Sequence, residues 1–164
     1  MKAVPLARAF RRPLPLLGGL LVAAGLALAE PALAYTYTNP TFGTSASFPA
    51  RAFPNIAPPS PEGQVWRSDE GAELVVYAIE DPQWSNPAEL VRWRKGLDRV
   101  TYQRTGRNWA VVSGFLSDGR IFYERYIFRG RLAHSVSVRY PEALRDPYDG
   151  LLKSITESLR GPSR

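Results

Sequence analysis

The chemistry available to this chain is narrow, because the residues that could carry it are few. It has one histidine, His134, and no cysteine among its 164 residues. A nucleophilic serine needs a base oriented by a third group. His134 is the one candidate base, with Ser113 and Ser135 the nearest serines. In an extended strand Ser135 points away from the face of His134. No Gly-x-Ser-x-Gly elbow is present, so a structural histidine is the better reading. Metal ligation would fall to carboxylates alone. Asp69 with Glu70 and Glu80 with Asp81 are turn and strand-end acids, without the repeated oxygens of a calcium loop; no metal and no cofactor is expected. Glu124 is the most suggestive acid, because Phe122 and Tyr126 flank it at strand spacing and an apolar setting raises a carboxyl pKa. Glycoside hydrolysis also requires a second carboxylate about 5–9 Å away. None is clear on its face, and pairing with Arg104, Arg107 or Arg139 is the plainer expectation.

The best binding feature is a mixture of arginine and tyrosine between residues 120 and 140. Arginine offers forked donors and tyrosine rigid contact area. The candidate binding residues are Glu124, Tyr126, Arg125, Arg129 and Arg131. Arginine outnumbers lysine eighteen to three throughout the chain, so a single arginine carries little functional weight by itself.

Residues 1–34 have the order of a cleavable export signal. Lys2, Arg8, Arg11 and Arg12 are followed by an apolar run over 14–29 and by Ala32-Leu33-Ala34 after the helix-breaking Pro31. The run is short for a bilayer span and contains three glycines. No membrane anchor is expected after cleavage, and the location implied is periplasmic or secreted. Outside this segment the formal charge falls from +6 to +3, an ordinary surface that does not suggest nucleic acid. Residues 35–164 suffice for one domain, which without disulfides must rest on its core.

The elements that must position these residues follow from local patterns. Residues 35–49 suit extended structure with a turn at Asn39-Pro40. The proline-rich segment 51–63 reads as a loop. Strands are expected at 64–68 and 73–79 around the turn Ser68-Asp69-Glu70-Gly71. Asn86 caps a helix with Pro87 first and Glu89 at the capping-box position, and Leu90, Trp93 and Leu97 make its apolar stripe while Arg92, Arg94 and Lys95 face solvent. Three strands fill 109–140. Asp118-Gly119 as a two-residue loop pairs Phe115 with Phe122, Ser113 with Glu124, Val111 with Tyr126 and Trp109 with Phe128, and sets Gly114 across from Tyr123. Two registers are open for the next hairpin. A loop at Arg129-Gly130 sets Arg125 opposite His134 and puts Glu124 with Ser135 on one face. A one-residue slip would instead bring His134 beside Tyr126 and Glu124. Turn chemistry favours the first and apolar clustering the second. A final helix has Asp146 as cap, Pro147 first, and Tyr148, Leu151, Leu152, Ile155 and Leu159 as its buried stripe.

The opening Tyr37-Thr38-Asn39-Pro40-Thr41-Phe42-Gly43 with Phe48-Pro49 resembles the first strand of Mog1/PsbP-like domains. Trp66–Gly71, Val100-Thr101-Tyr102, Trp109–Gly114, Ile121-Phe122-Tyr123, Arg139-Tyr140-Pro141 and Tyr148-Asp149 with Ile155–Leu159 are similar to uncharacterised exported alphaproteobacterial proteins of that fold. The resemblance implies an α+β domain with an antiparallel sheet of about six strands and two packed helices. It supplies no functional residue, since members of the fold do unlike things: one assists a photosystem and another binds a small GTPase. The functional expectation is a non-enzymatic binding or accessory module for an unidentified protein or envelope ligand. The alternative is a small cell-wall or glycan hydrolase with Glu124 as acid.

Overall fold

The computed structural model describes residues 34–162, so all of the expected leader except Ala34 lies outside the described residues. Strands β1 (Ala34–Thr38) and β2 (Ser45–Pro49) form a hairpin. Asn39 builds its turn: the side-chain oxygen accepts the amides of Thr41 and Phe42 at 2.9 and 2.7 Å, and the amide group donates to the Pro61 carbonyl at 3.0 Å. The main sheet is antiparallel and seven-stranded. It comprises β3 (Asn55–Ile56), β4 (Gly63–Arg67), β5 (Glu73–Glu80), β6 (Arg99–Thr105), β7 (Trp109–Phe115), β8 (Ile121–Arg129) and β9 (Leu132–Tyr140), in the order β3-β4-β5-β9-β8-β7-β6. The α+β expectation holds, with seven strands in this sheet and two in the hairpin where about six were expected in all; five of the sheet's seven were expected individually and two are additions. One addition is β3, inside the proline-rich segment. The other is β6, whose residues are nearly all exposed and show no apolar alternation.

Each sheet face has its own core. On one face, Trp66, Leu74, Val76, Val136, Val138 and Ile121 pack under Phe48 of the β1–β2 hairpin and under Leu152, Ile155 and Leu159 at the end of the chain. On the other, Ala110, Val112, Phe122, Tyr126 and Ala133 lie under Trp84 and under Leu90 and Val91 of helix α1 (Pro87–Leu97). Helix α2 (Arg145–Glu157) follows a 3-10 turn and packs on β2, β8 and β9. Among the described residues no helix is long and apolar enough to cross a membrane.

Turn geometry moves both hairpin registers. The first loop has three residues, not two: Leu116 pairs through its amide with the Arg120 carbonyl at 2.8 Å, and Gly119 takes φ +85°. This is a turn closed by a glycine bulge. Phe115 therefore pairs with Ile121, Gly114 with Phe122 and Val112 with Glu124. The one-residue offset turns Ser113 and Trp109 to the face opposite Glu124 and brings Val112 beside it. In the second hairpin the loop is Gly130-Arg131, with Gly130 at φ +57°, and Arg125 pairs with Val136 and Ile127 with His134. That shift is two residues, so faces are preserved. Ser135 and Ser137 share the face of Glu124, and His134 lies on the other.

The α1 cap forms as expected. Asn86 accepts the amides of Ala88 and Glu89, while Glu89 reaches back to the amide and hydroxyl of Ser85. The buried side of α1 is rotated from the expected stripe. Leu90, Val91 and Arg94 face the sheet, and Leu97 is 56 % exposed. Helix α2 starts at Arg145, so Asp146 and Pro147 sit in its first turn and Asp146 is not the cap. A proline is tolerated there because the first amides have no intrahelical partner.

Candidate functional site

The polar centre of the molecule lies beneath α1. Arg67, Glu73 and Arg139 form one row across β4, β5 and β9, and Ser137, Glu124 and Val112 form the next across β9, β8 and β7. Glu124 is buried. Its Oε2 accepts the Tyr126 hydroxyl at 2.8 Å and lies 3.2 Å from Arg94 Nε; its Oε1 accepts the Ser137 hydroxyl at 3.3 Å and lies 3.7 Å from Arg139 Nη2. Arg94 continues to Asp98 at 2.7 Å, and its guanidinium stands 4.2 Å above the Phe122 ring. Arg139 continues to Glu73, which also binds Arg67 at 3.1 Å. Charges alternate from β4 to α1 and balance. Arg139 was among the partners expected for Glu124; Arg94 was assigned to solvent, because the helix stripe was read one residue out of phase.

Burial, together with the neighbouring Tyr77 and Glu124, pushes the Tyr126 hydroxyl well above the ordinary tyrosine range. Burial and then the charge of Glu124 also raise Tyr77, whose hydroxyl is 3.1 Å from that of Tyr126. A general acid must reach its substrate, and Glu124 is 2 % exposed with a donor or cation at each oxygen. The hydrolase alternative loses its acid on this geometry. His134 is also sealed: Nδ1 is 2.7 Å from the Thr44 hydroxyl and Nε2 is 3.2 Å from the Pro162 carbonyl. Ser113 shares its face but lies two strands away and four residues along. Among the described residues no three metal-binding side chains cluster.

The candidate binding residues separate. Glu124 and Tyr126 are under α1. Arg125 lies on the opposite face, half-buried, with its guanidinium 5.3 Å from the centre of the Trp109 ring. Arg129, on that same face, donates from Nε to the Gly161 carbonyl at 3.2 Å. Arg131 is at the loop tip, paired with Asp81.

A surface cleft of about 410 Å³ opens on the Arg125 face, between α2 and strands β6–β8. Tyr102 of β6 and Tyr123 of β8 stack there, with centroids 6.4 Å apart and planes at 23°. Arg145, Asp149 and Lys153 of α2 form the other wall, and the Tyr140 hydroxyl donates to Asp149 at 2.8 Å. Burial raises Tyr123, helped by Tyr102.

No family model matches this sequence, and neither does any curated protein. Solved structures do match. The solution structure of cyanobacterial PsbP from Synechocystis sp. PCC 6803 aligns with a TM-score of 0.55 at 12 % identity, over 85 % of this chain and 99 % of that one. The crystal structure of the Saccharomyces cerevisiae Ran-binding protein Mog1p aligns with a TM-score of 0.51 at 10 % identity, over 81 % and 97 %. The fold is Mog1/PsbP-like. At these identities the likeness is one of architecture alone.

Within this Mog1/PsbP-like domain, the arginine–tyrosine stretch between residues 120 and 140 holds the cleft residues Tyr123 and Tyr140, whereas Tyr102, Asp149 and Lys153 were missed as cleft residues. The helical signal was present: Arg145, Asp149 and Lys153 recur every four residues and so share one side of α2. Only the folded sheet shows that this side faces Tyr102.

Proposed function

We propose that the chain is an exported, non-enzymatic binding or accessory module, periplasmic or secreted, for a protein or envelope ligand. One observation carries the reading. The Tyr102–Tyr123 stack sits on the same sheet face as Arg125, at a margin that leaves Tyr102 43 % exposed. Rigid tyrosine area beside a guanidinium is the composition enriched in contact hot spots. The basic, apolar and small-residue order of residues 1–34 supports export. The sealing of Glu124 and His134 favours binding over catalysis. The same architecture serves binding in Mog1p, which is named as a Ran-binding protein.

The test is affinity capture of the tagged protein after mild crosslinking in its native envelope, read by mass spectrometry. Arg125→Glu and Arg129→Glu are run beside it, each checked for native circular dichroism. A reproducible partner lost in the Arg125 variant establishes the module and places its surface. Capture that both folded variants leave unchanged removes that surface from consideration.

A further inference from the structure

The cleft between α2 and β6–β8 has the inventory of a small-molecule site, and its about 410 Å³ is within the range of such sites. We propose that it binds an acidic saccharide, a sugar ring carrying one carboxylate. The proposal rests on the reading of the chain as a binding module and names the ligand class.

Three features select this class. Tyr102 is held by its stack on Tyr123 yet stays 43 % exposed, as a sugar platform must. The electron-rich face of an aromatic ring attracts the polarised C–H groups of a pyranose. Lys153 makes no ion pair among the described residues and lines the cleft as the cation for a carboxylate, while Arg145 beside it is already paired with Glu142 at 3.0 Å. Asp149 stands between them in sequence. One of its oxygens receives the Tyr140 hydroxyl, and the other keeps lone pairs to accept a ligand hydroxyl. An anion in the wall also repels polyanions, so an acidic peptide fits less well than a polyol with a single negative charge.

Isothermal titration of the protein, expressed with its own leader and purified, would compare methyl β-D-glucuronide with methyl β-D-glucoside. The two sugars differ in one carboxylate. Sodium acetate and polyglutamate serve as a bare anion and an acidic chain. The expected result is saturable binding of the glucuronide and about tenfold weaker binding of the glucoside. Lys153→Ala and Tyr102→Ala should each weaken glucuronide binding by about tenfold, whereas Arg92→Ala, on the exposed side of α1 and outside the cleft, leaves it unchanged. Both cleft side chains are at the surface, so these variants keep the fold. No saturable binding, equal affinity for both sugars, acetate binding as well as the glucuronide, or preference for polyglutamate would overturn the proposal. If the glucuronide fails while Arg125-dependent capture of a protein partner succeeds, this inference falls and the binding-module reading stands. If both fail, both fall.

Discussion

Glu124 shows how a charge is kept inside a small domain. A carboxylate removed from water is costly unless donors and cations replace its hydration. Here Tyr126, Ser137, Arg94 and Arg139 do so. The same contacts tie α1 to the sheet, since Arg94 bridges from the helix to β8. Replacing Arg94 by alanine leaves Glu124 its two hydroxyl donors but, among the described residues, only the longer Arg139 contact as a cation, and removes the Arg94 guanidinium from Asp98. Both Arg94 and Glu124 are nearly inaccessible, so the loss should be about 3 kcal/mol or more. A urea unfolding midpoint close to that of the parent protein would contradict this account. On the opposite face, Arg125 has a different task, because its cation lies over Trp109 and among the described residues no carboxylate is paired with it.

Among the elements, β6 carries Tyr102 and forms one margin of the sheet. Its polar, exposed residues give little intrinsic reason to be a strand, and it is held by pairing with β7. Gly114 permits that pairing. A β-carbon at this position would stand 2.0 Å from the carbonyl oxygen of Arg99. The contact is to backbone, which cannot swing aside. Gly114→Ala should therefore cost about 1–3 kcal/mol and loosen β6 first. Hydrogen exchange should show its amides losing protection ahead of those in β8 and β9. Uniform protection in the variant would show that β6 is anchored by other contacts. Cleft binding should weaken with the strand, because Tyr102 loses its stacking partner.

At the scale of the molecule, one sheet separates two cores, and buried tyrosines lie on both sides. Tyr126 and Tyr77 are raised by burial beneath α1. Tyr140 is raised by burial and by Asp149, and Tyr148 by burial, both on the α2 side. A tyrosine raised in the folded state keeps its proton where the unfolded chain has lost it. Its contribution is complete below the unfolded value of about 10 and is lost as pH climbs from there through the folded value. Melting temperature should be insensitive to these groups up to about pH 9.5 and then fall. The buried tyrosines should ionise, by ultraviolet absorbance, only together with unfolding. Simple titration of every tyrosine near pH 10, with melting temperature unchanged, would refute this.

Short-range chemistry was legible in the residues themselves. Asn39 builds its turn, Asn86 and Glu89 start α1, and the glycines at 119 and 130 mark the hairpins. Strand alternation also located most of the sheet, and the resemblance around Tyr37–Gly43 pointed to the right architecture. These features depend on neighbours within a few positions. Faces and partners do not. One extra loop residue before Gly119 exchanged the sides of Ser113 and Val112, since strand side chains alternate with a period of two. A small rotation of α1 took Arg94 from solvent to Glu124. The meeting of Arg145, Asp149 and Lys153 with Tyr102 required α2 to cross the sheet beside a strand that its own residues do not announce. Sequence alone determined where the chain turns, caps and extends; the tertiary structure decided what each side chain meets, because that depends on closing distant segments onto one another.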